Sequence, residues 1–323
     1  MISIHDELHF LPARLWLDAR RSRAVSFISH AHSDHIGAHE LTICTPPTAR
    51  LTRLRLGSRD GAAFAEHGYG IPFEHAGIMM KLVPAGHVLG SAQLLAASEA
   101  GTFLYTGDFK LRAGRTHAAC EVPQCDVLVM ECTFGRPHYR FPDRAHVEEE
   151  LVQICRSAIS DGKTPVIYAY ALGKAQEVIH ALAAHDIPVM VHGTVADICD
   201  AYVAQGVDLG SFKRYRYIDR LGHAVVVPPE MRRTMMIEKI YDRIEIAVTG
   251  WACDASARFR LGVDVALPYS DHADFPELLA FVERASPKKV YCLHGFPEFV
   301  LYLRRAGVNA EWLAPNVQME LFR

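Results

Sequence analysis

The stretch "SHAHSDHIGAH", Ser29 to His39, sets four histidines and one aspartate in a single short run. Within it His30, His32, Asp34 and His35 make an H-x-H-x-D-H pattern. The preceding "AVSFIS" (24–29) reads as a strand running straight into this cluster. Residues two apart on a strand share a face, so the imidazoles of His30 and His32 point the same way. Asp34 and His35 then sit on the turn and reach a neighbouring point. Neutral imidazole and carboxylate suit zinc, and also manganese or iron. Two ligand pairs offset along one turn suit two adjacent metals better than one. A polar loop that is merely rich in histidine is the duller alternative. His39, four residues past His35, fits a helix surface better than a ligand.

A two-metal site needs further ligands, and the chain offers them after other apolar runs. His87 follows one in "PAGHVLGSAQ", and His294 precedes a glycine in "VYCLHG". Asp108 lies in the Gly-Asp turn of "YTGDFK", where one carboxylate can bridge two ions. His192 in "VHG" competes with His294 for the last position. His294 is preferred because it follows His272 on the strand leading back to the first domain. His272 in "YSDHADF" has acidic neighbours in Asp271 and Asp274 that favour its charged form, as a proton donor requires. The same residues also read as a helix cap with His272 in the first turn, and the sequence by itself leaves both readings open.

The elements that must position these residues alternate as in an α/β protein. "MKLVPAGH", "TFLYTGD" and "DVLVMECTFG" read as strands, each delivering a polar residue at its carboxyl end, where loops leaving a rigid sheet converge. From about residue 136 the pattern becomes regular. "DRAHVEEELVQICRSAISDG" is a helix with Asp143 as its N-cap and Gly162 beyond its end. "TPVIYAYAL", "GKAQEVIHALAAHD", "IPVMVHG" and "TVADICDAYVAQG" continue as strand, helix, strand and helix, which implies parallel strands with crossovers. "DFPELLAFVERASP", "KKVYCLHG" and "FPEFVLYLRRAG" close the chain as helix, strand and helix. With no Gly-, Pro- or Ser-rich linker, a small α/β domain at 136–256 inserted into a host of 1–135 and 257–323 fits better than two tethered domains.

Bulk properties narrow the classes. The 323 residues suffice for two domains, and half of them are apolar with an ordinary charged fraction, as in a globular protein. A formal charge of -3 argues against binding nucleic acid by bulk electrostatics, but leaves room for a local basic groove. No apolar run approaches membrane-span length, and "MISIHDELHF" lacks the parts of a secretory signal, so no membrane association and a cytoplasmic location are expected. The eight cysteines include no C-x-x-C pair and read as reduced, mostly buried residues. Basic residues offer weaker substrate candidates. "GKAQ" opens a helix with Lys174 beside its amides, Arg258 and Arg260 border the end of the insertion, and Thr133 follows "EC". "RLTRLRLGSR" (50–59) reads as a solvated helix face rather than a DNA track.

Taken in order, "HAHSDH", the GH of "PAGHVLGS", the GD of "YTGDF" and the later HG resemble the metallo-β-lactamase fold hydrolases. "ECTFG", "YSDHADF" and "CLHG" resemble motifs A, B and C of the β-CASP nucleases. "ECTFGRPHYRFP", "YALGKAQEVIHAL", "VMVHGTV" and "YSDHADFPELLAFVE" are similar to the bacterial DNA-ligase-associated exonucleases, over nearly the whole chain. Cys132 departs from the usual Ser or Ala of that motif, and "ASARFR" is less basic than its counterpart. The resemblance implies an αββα metallo-β-lactamase sandwich with an inserted β-CASP domain. It implies one metal, zinc or manganese, on His30, His32 and His87, and a second on Asp34, His35 and His294, with Asp108 bridging. Asp18 in "LWLDARRS" would orient a ligand histidine, and Glu131 would hold His272 as the acid that protonates the leaving oxygen. The implied activity is a two-metal phosphodiesterase, a DNA-repair exonuclease on 5′-phosphorylated ends with a DNA ligase and a helicase as partners. A β-CASP ribonuclease acting on RNA is the first alternative, an inactive scaffold subunit the next, and a one-metal structural site the last.

Overall fold

The computed structural model describes residues 2–4, 7–57, 63–313 and 317–319. Positions 58 and 59 of the arginine-bearing stretch lie outside the described residues. The chain divides into two units, one of 1–137 with 272–323 and one of 138–271. No helix among the described residues is long and apolar enough to cross a membrane.

In the first unit two sheets of seven described strands face each other. One carries Leu15–Leu17, Val25–Phe27 and Leu41–Cys44 as successive neighbours. The other carries Ile78–Pro84, Ala92–Ser98, Gly101–Tyr105, Val127–Cys132 and Lys289–Gly295. Period-two alternation sorts each strand between two apolar layers. Phe103, Tyr105, Val127 and Val129 meet Leu15, Leu17, Phe27 and Ile43 in the sandwich core. Leu104, Leu128 and Met130 point the other way, onto helices Phe275–Ala285 and Phe299–Arg305 through Leu278, Phe281 and Leu303. Behind the first sheet, Ala49 of helix Pro46–Leu56 packs on Ile28, Ile36 and Cys44. Helix, sheet, sheet, helix is the αββα order the sequence motifs imply.

The second unit is a six-stranded parallel sheet, ordered Phe212–Arg214, Val189–Val191, Ala224–Val227, Thr164–Tyr168, Arg243–Val248 and Val265–Leu267. Helices Arg144–Ser160, Lys174–Ala183 and Gly193–Val203 form where the sequence places them, the first capped by Asp143. The return to the first unit comes later than the expected position 257. Residues 257–271 stay with the second unit, because Val265–Leu267 adds in parallel to Arg243–Val248.

Helix Phe275–Ala285 starts at a fully buried N-cap, Asp274, which accepts from the Glu277 amide at 3.0 Å and from the Arg112 guanidinium at 2.8 Å. Asp274→Ala removes both the cap and this charged hydrogen bond. It should lower the unfolding free energy by about 2–3 kcal/mol in urea denaturation, and Asp274→Asn, which keeps a cap acceptor, by less.

Candidate metal centre

All the histidines and carboxylates of the expected ligand set belong to the first unit. They arrive from the carboxyl ends of strands in both sheets. The loop after Val25–Phe27 brings residues 30–35, the loop after Ile78–Pro84 brings His87, and the turn after Gly101–Tyr105 brings Asp108. Strand Lys289–Gly295 brings His294. Gly107 makes the Asp108 turn possible. Its φ is +55°, and a Cβ there would lie 2.5 Å from the Ser29 side chain.

His30, His32, His87 and Asp108 each aim one donor atom into a common space, all four within 4.8 Å of one another. His30 Nε2 and His87 Nε2 lie 3.0 and 3.1 Å from His32 Nδ1, and 3.6 and 3.8 Å from Asp108 Oδ2. A tetrahedral ion with bonds of about 2.0–2.1 Å separates its donors by about 3.3 Å, so these four atoms fit one such ion. The same Asp108 Oδ2 is 3.4 Å from His35 Nε2, which is 3.7 Å from Asp34 Oδ2. The His294 ring stands 5.9 Å from the His35 ring, centre to centre. Asp108 Oδ2 thus faces His35 as well as the first cluster, whereas Asp34, whose side chain is 70 % exposed, and His294 are not gathered with them as tightly as the first four donors are with one another.

The electrostatics match a cation site. His30 is fully buried, and burial together with the neighbouring His35 and His87 holds it well below the ordinary histidine range, neutral and able to donate a lone pair. His35 goes the other way. Burial pulls it down, but Asp108 and Asp18 overcome this and hold it well above the usual value. Burial likewise raises Asp108, while His35, His272 and His30 lower it further, well below the carboxylate range. Positive charge is thus demanded beside Asp108, and a divalent ion meets that demand.

Asp18 sits behind His35 with a left-handed backbone, φ +50°. Its Oδ2 accepts from His35 Nδ1 at 2.9 Å, Ser29 Oγ at 2.6 Å and Tyr105 Oη at 2.8 Å, while its Oδ1 takes the Ser29 amide at 2.6 Å. Fixing Nδ1 in this way aims Nε2 at the centre. The sequence reading did not find Ser29 or Tyr105. Their only signal is that Tyr105 and Asp108 share the "YTGD" turn, and contact with Asp18 needs the fold.

Glu131 is 1 % exposed and on the sandwich side of its strand, in phase with Val127 and Val129. Its Oε1 meets His272 Nδ1 at 2.9 Å and accepts the Phe109 amide at 3.0 Å. Thr133, a substrate candidate in the sequence, instead donates its amide and hydroxyl to the other oxygen of Glu131. His272 Nδ1 lies 4.0 Å from Asp108 Oδ2. The cap reading of "SDHADF" is also present, but Asp274 supplies it, and His272 stands ahead of the helix.

The remaining candidates have other surroundings. His39 is buried in a turn region rather than on a helix, its Nδ1 accepting from the Arg23 amide. His192 is the N-cap of Gly193–Val203, accepting from the Thr194 amide. Lys174 is 3 % exposed and places its ammonium 3.0 Å from Asp271. The Gly173 amide beside it is taken by the Gln176 side chain. Arg258 and Arg260 lie on helix Ala257–Leu261 of the second unit, Arg260 paired with Asp254 at 3.2 Å. The cysteines are free, as expected.

Residues 257–312 match the family described as the Zn-dependent metallo-hydrolase RNA specificity domain. The chain is 40% identical over 313 residues to a probable DNA ligase of Opitutus terrae, a match spanning 95% of this chain and 30% of that protein. The chain is a metallo-β-lactamase-fold protein of the β-CASP type. The DNA cross-link repair protein SNM1 of Arabidopsis thaliana is 25% identical over 82% of this chain and 59% of its own length. An RNase J-like protein of Methanocaldococcus jannaschii is 28% identical over 55% of this chain and 49% of its own. This β-CASP chain spans less than two thirds of each of these relatives. Its His and Asp cluster is suited to the divalent ion that a zinc-dependent hydrolase family implies.

Asp18→Ala leaves the donor atoms of the centre in place but unfixes His35. Metal affinity should fall about 10- to 100-fold, measured by competition with a chromogenic chelator, as for other ligand-orienting carboxylates.

Proposed function

We propose that this chain is a metal-dependent nuclease that hydrolyses phosphodiester bonds. The arrangement that carries this reading is the Glu131–His272 pair set beside Asp108. A hydrolytic centre that only needs an acidified water has no use for a second, buried carboxylate–imidazole pair. A phosphodiester does, because its departing oxygen must be protonated. With Nδ1 engaged by Glu131, Nε2 of His272 is the ring atom that hands over the proton. The Glu131 carboxylate compensates the imidazolium charge and is itself held by the Phe109 amide and by Thr133. His30, His32 and His87 would hold one ion and Asp34, His35 and His294 a second, with Asp108 shared. Such ions supply the charge that polarises a phosphoryl oxygen and acidifies a water. What favours two ions over one is that Asp108 Oδ2 faces His35 as well as His30 and His87, so one carboxylate could serve both.

For the substrate we favour DNA with a 5′-phosphorylated end, cut as an exonuclease in repair, with a DNA ligase and a helicase as partners. A relative that matches nearly the whole chain is named a probable DNA ligase, and one that matches most of it is named for DNA cross-link repair. RNA is the second reading, favoured by the description of the family matched at 257–312.

The test uses purified, zinc- or manganese-loaded protein with 5′-phosphorylated single-stranded DNA, duplex DNA and matched RNA, following product lengths. DNA shortened progressively from its 5′ end is expected, and cleavage of RNA alone would overturn the DNA reading. His272→Ala should keep its metal and lose about 100-fold or more in rate, the usual scale for a general acid. Asp34→Ala should lose metal as well as activity. Unchanged activity in His272→Ala would remove the proposed acid.

A further inference from the structure

The second unit holds a cavity of about 450 Å³, lined among others by Tyr168, Tyr170, Arg233, Trp251 and Arg260. This is within the range of about 300–1,000 Å³ typical of small-molecule sites. Its place in the sheet is that of a ligand crevice. Thr164–Tyr168 and Arg243–Val248 are adjacent parallel strands, and the chain leaves their carboxyl ends in opposite directions across the sheet. From Tyr168 it goes by helix Lys174–Ala183 to Val189–Val191, and from Val248 it goes to Val265–Leu267 on the other side. Such a switch point opens a gap between the two loops. Tyr170 lies in one of these loops and Trp251 in the other.

The lining is mainly aromatic, apolar and basic, with a single carboxylate, Glu230. Tyr170 is half exposed with the Lys174 ammonium 4.7 Å over its ring, and Trp251 is propped edge-on by Tyr139 at 5.5 Å, so each leaves some ring surface that a planar group can cover. Arg233 is exposed and has no ion pair among the described residues. Arg260 is half exposed, with one bond to Asp254. Arg232 differs: its guanidinium is held by Glu245 and by the Leu261 and Gly262 carbonyls, so it braces the floor. On that floor the Tyr168 hydroxyl is buried beside the Glu245 carboxylate, and it makes no hydrogen bond of good geometry among the described residues. The neighbouring Glu245 carboxylate is already spent on Arg232 and Arg243. A buried hydroxyl left unbonded is costly, and a ligand acceptor would relieve it.

We propose that this cavity binds a nucleotide unit, its base against Tyr170 and Trp251, its phosphate at Arg233 and Arg260, and a base or sugar acceptor on the Tyr168 hydroxyl. Aromatic faces beside Arg233, which has no ion pair among the described residues, and Arg260, which has one, match a ring joined to an anion better than either alone. The proposal rests only on second-unit residues and is independent of the metal centre. The unit has two sources, a free nucleoside monophosphate or the 5′-phosphorylated end of a strand.

The test is calorimetric titration of the full chain, with chelator present so that strands survive. The probes are deoxyadenosine 5′-monophosphate, deoxyadenosine, inorganic phosphate, and a short DNA strand with and without its 5′-phosphate. The monophosphate should bind, with deoxyadenosine and phosphate each about tenfold weaker or more. Arg233→Gln and Tyr168→Phe, neither of which empties the core, should each weaken it about fivefold. Quenching of tryptophan fluorescence by the nucleotide should vanish in Trp251→Phe. A phosphorylated strand that displaces the nucleotide and binds more tightly identifies a strand end as the source, and one that does not compete identifies the free nucleotide. Absence of binding by both nucleotide and strand up to about 5 mM would overturn the proposal, since affinities weaker than that have no specific site behind them. Affinity unchanged in both Arg233→Gln and Tyr168→Phe would overturn it equally.

Discussion

A single buried carboxylate organises the first unit. Asp108 is 7 % exposed, and Oδ2 alone faces His35, His30, His87 and His272 at 3.4 to 4.0 Å. An isolated carboxylate at such depth is unfavourable, and so are several imidazoles crowded together without an anion. Each needs the other, and together they need added positive charge. Burial lowers the His30 pKa while the carboxylates of Asp108 and Asp18 raise that of His35, so two rings five residues apart are pushed in opposite directions by their surroundings.

Holding these groups together demands backbone conformations that most residues avoid. Asp18 and His294, one behind the centre and one at its edge, both have positive φ, +50° and +48°. Such strain persists where the surrounding structure over-determines it, and it concentrates at functional positions. At His294 the cause is visible. Strand Lys289–Gly295 pairs in parallel with Val127–Cys132, and the register slips between Glu131 and Cys132. Gly295 then passes so close to the Cys132 carbonyl that a Cβ would meet it at 1.9 Å. The slip leaves His294 as the extra residue between Leu293 and Gly295, beside Glu131 at the end of the neighbouring strand, so the Glu131–His272 pair and a candidate ligand share one rim.

The inserted sheet follows a different rule. Its strands are parallel and covered, its helices are amphipathic, and its interior holds ion pairs such as Lys174 with Asp271 and Arg232 with Glu245. Lys174 shows the limit of motif reading: glycine followed by lysine at a helix start has the sequence of an anion site, yet the lysine is buried against an aspartate.

Local chemistry was legible in the sequence wherever one short run carries several constraints. The H-x-H-x-D-H pattern, the GD turn, the Asp143 cap and the alternating strands and helices after residue 136 depend on spacing and period, which the chain displays directly. The strands Leu8–Phe10 and Leu15–Leu17 were not legible, because runs of three residues carry too little periodicity, and they form by adding to a sheet. Nor was the boundary at 271, which Val265–Leu267 sets by choosing the second unit's sheet. His39 had the spacing of a helix face, but the turn after the cluster never becomes a helix. Ser29, Tyr105 and Thr133 take their roles from contact alone. The sequence by itself determined which donor atoms are available and on which strand ends they sit, because side-chain chemistry and period are local. Only tertiary structure decided which donors share Asp108, which residue fixes each ring, and which charge state burial imposes, because these depend on distances between segments far apart in the chain.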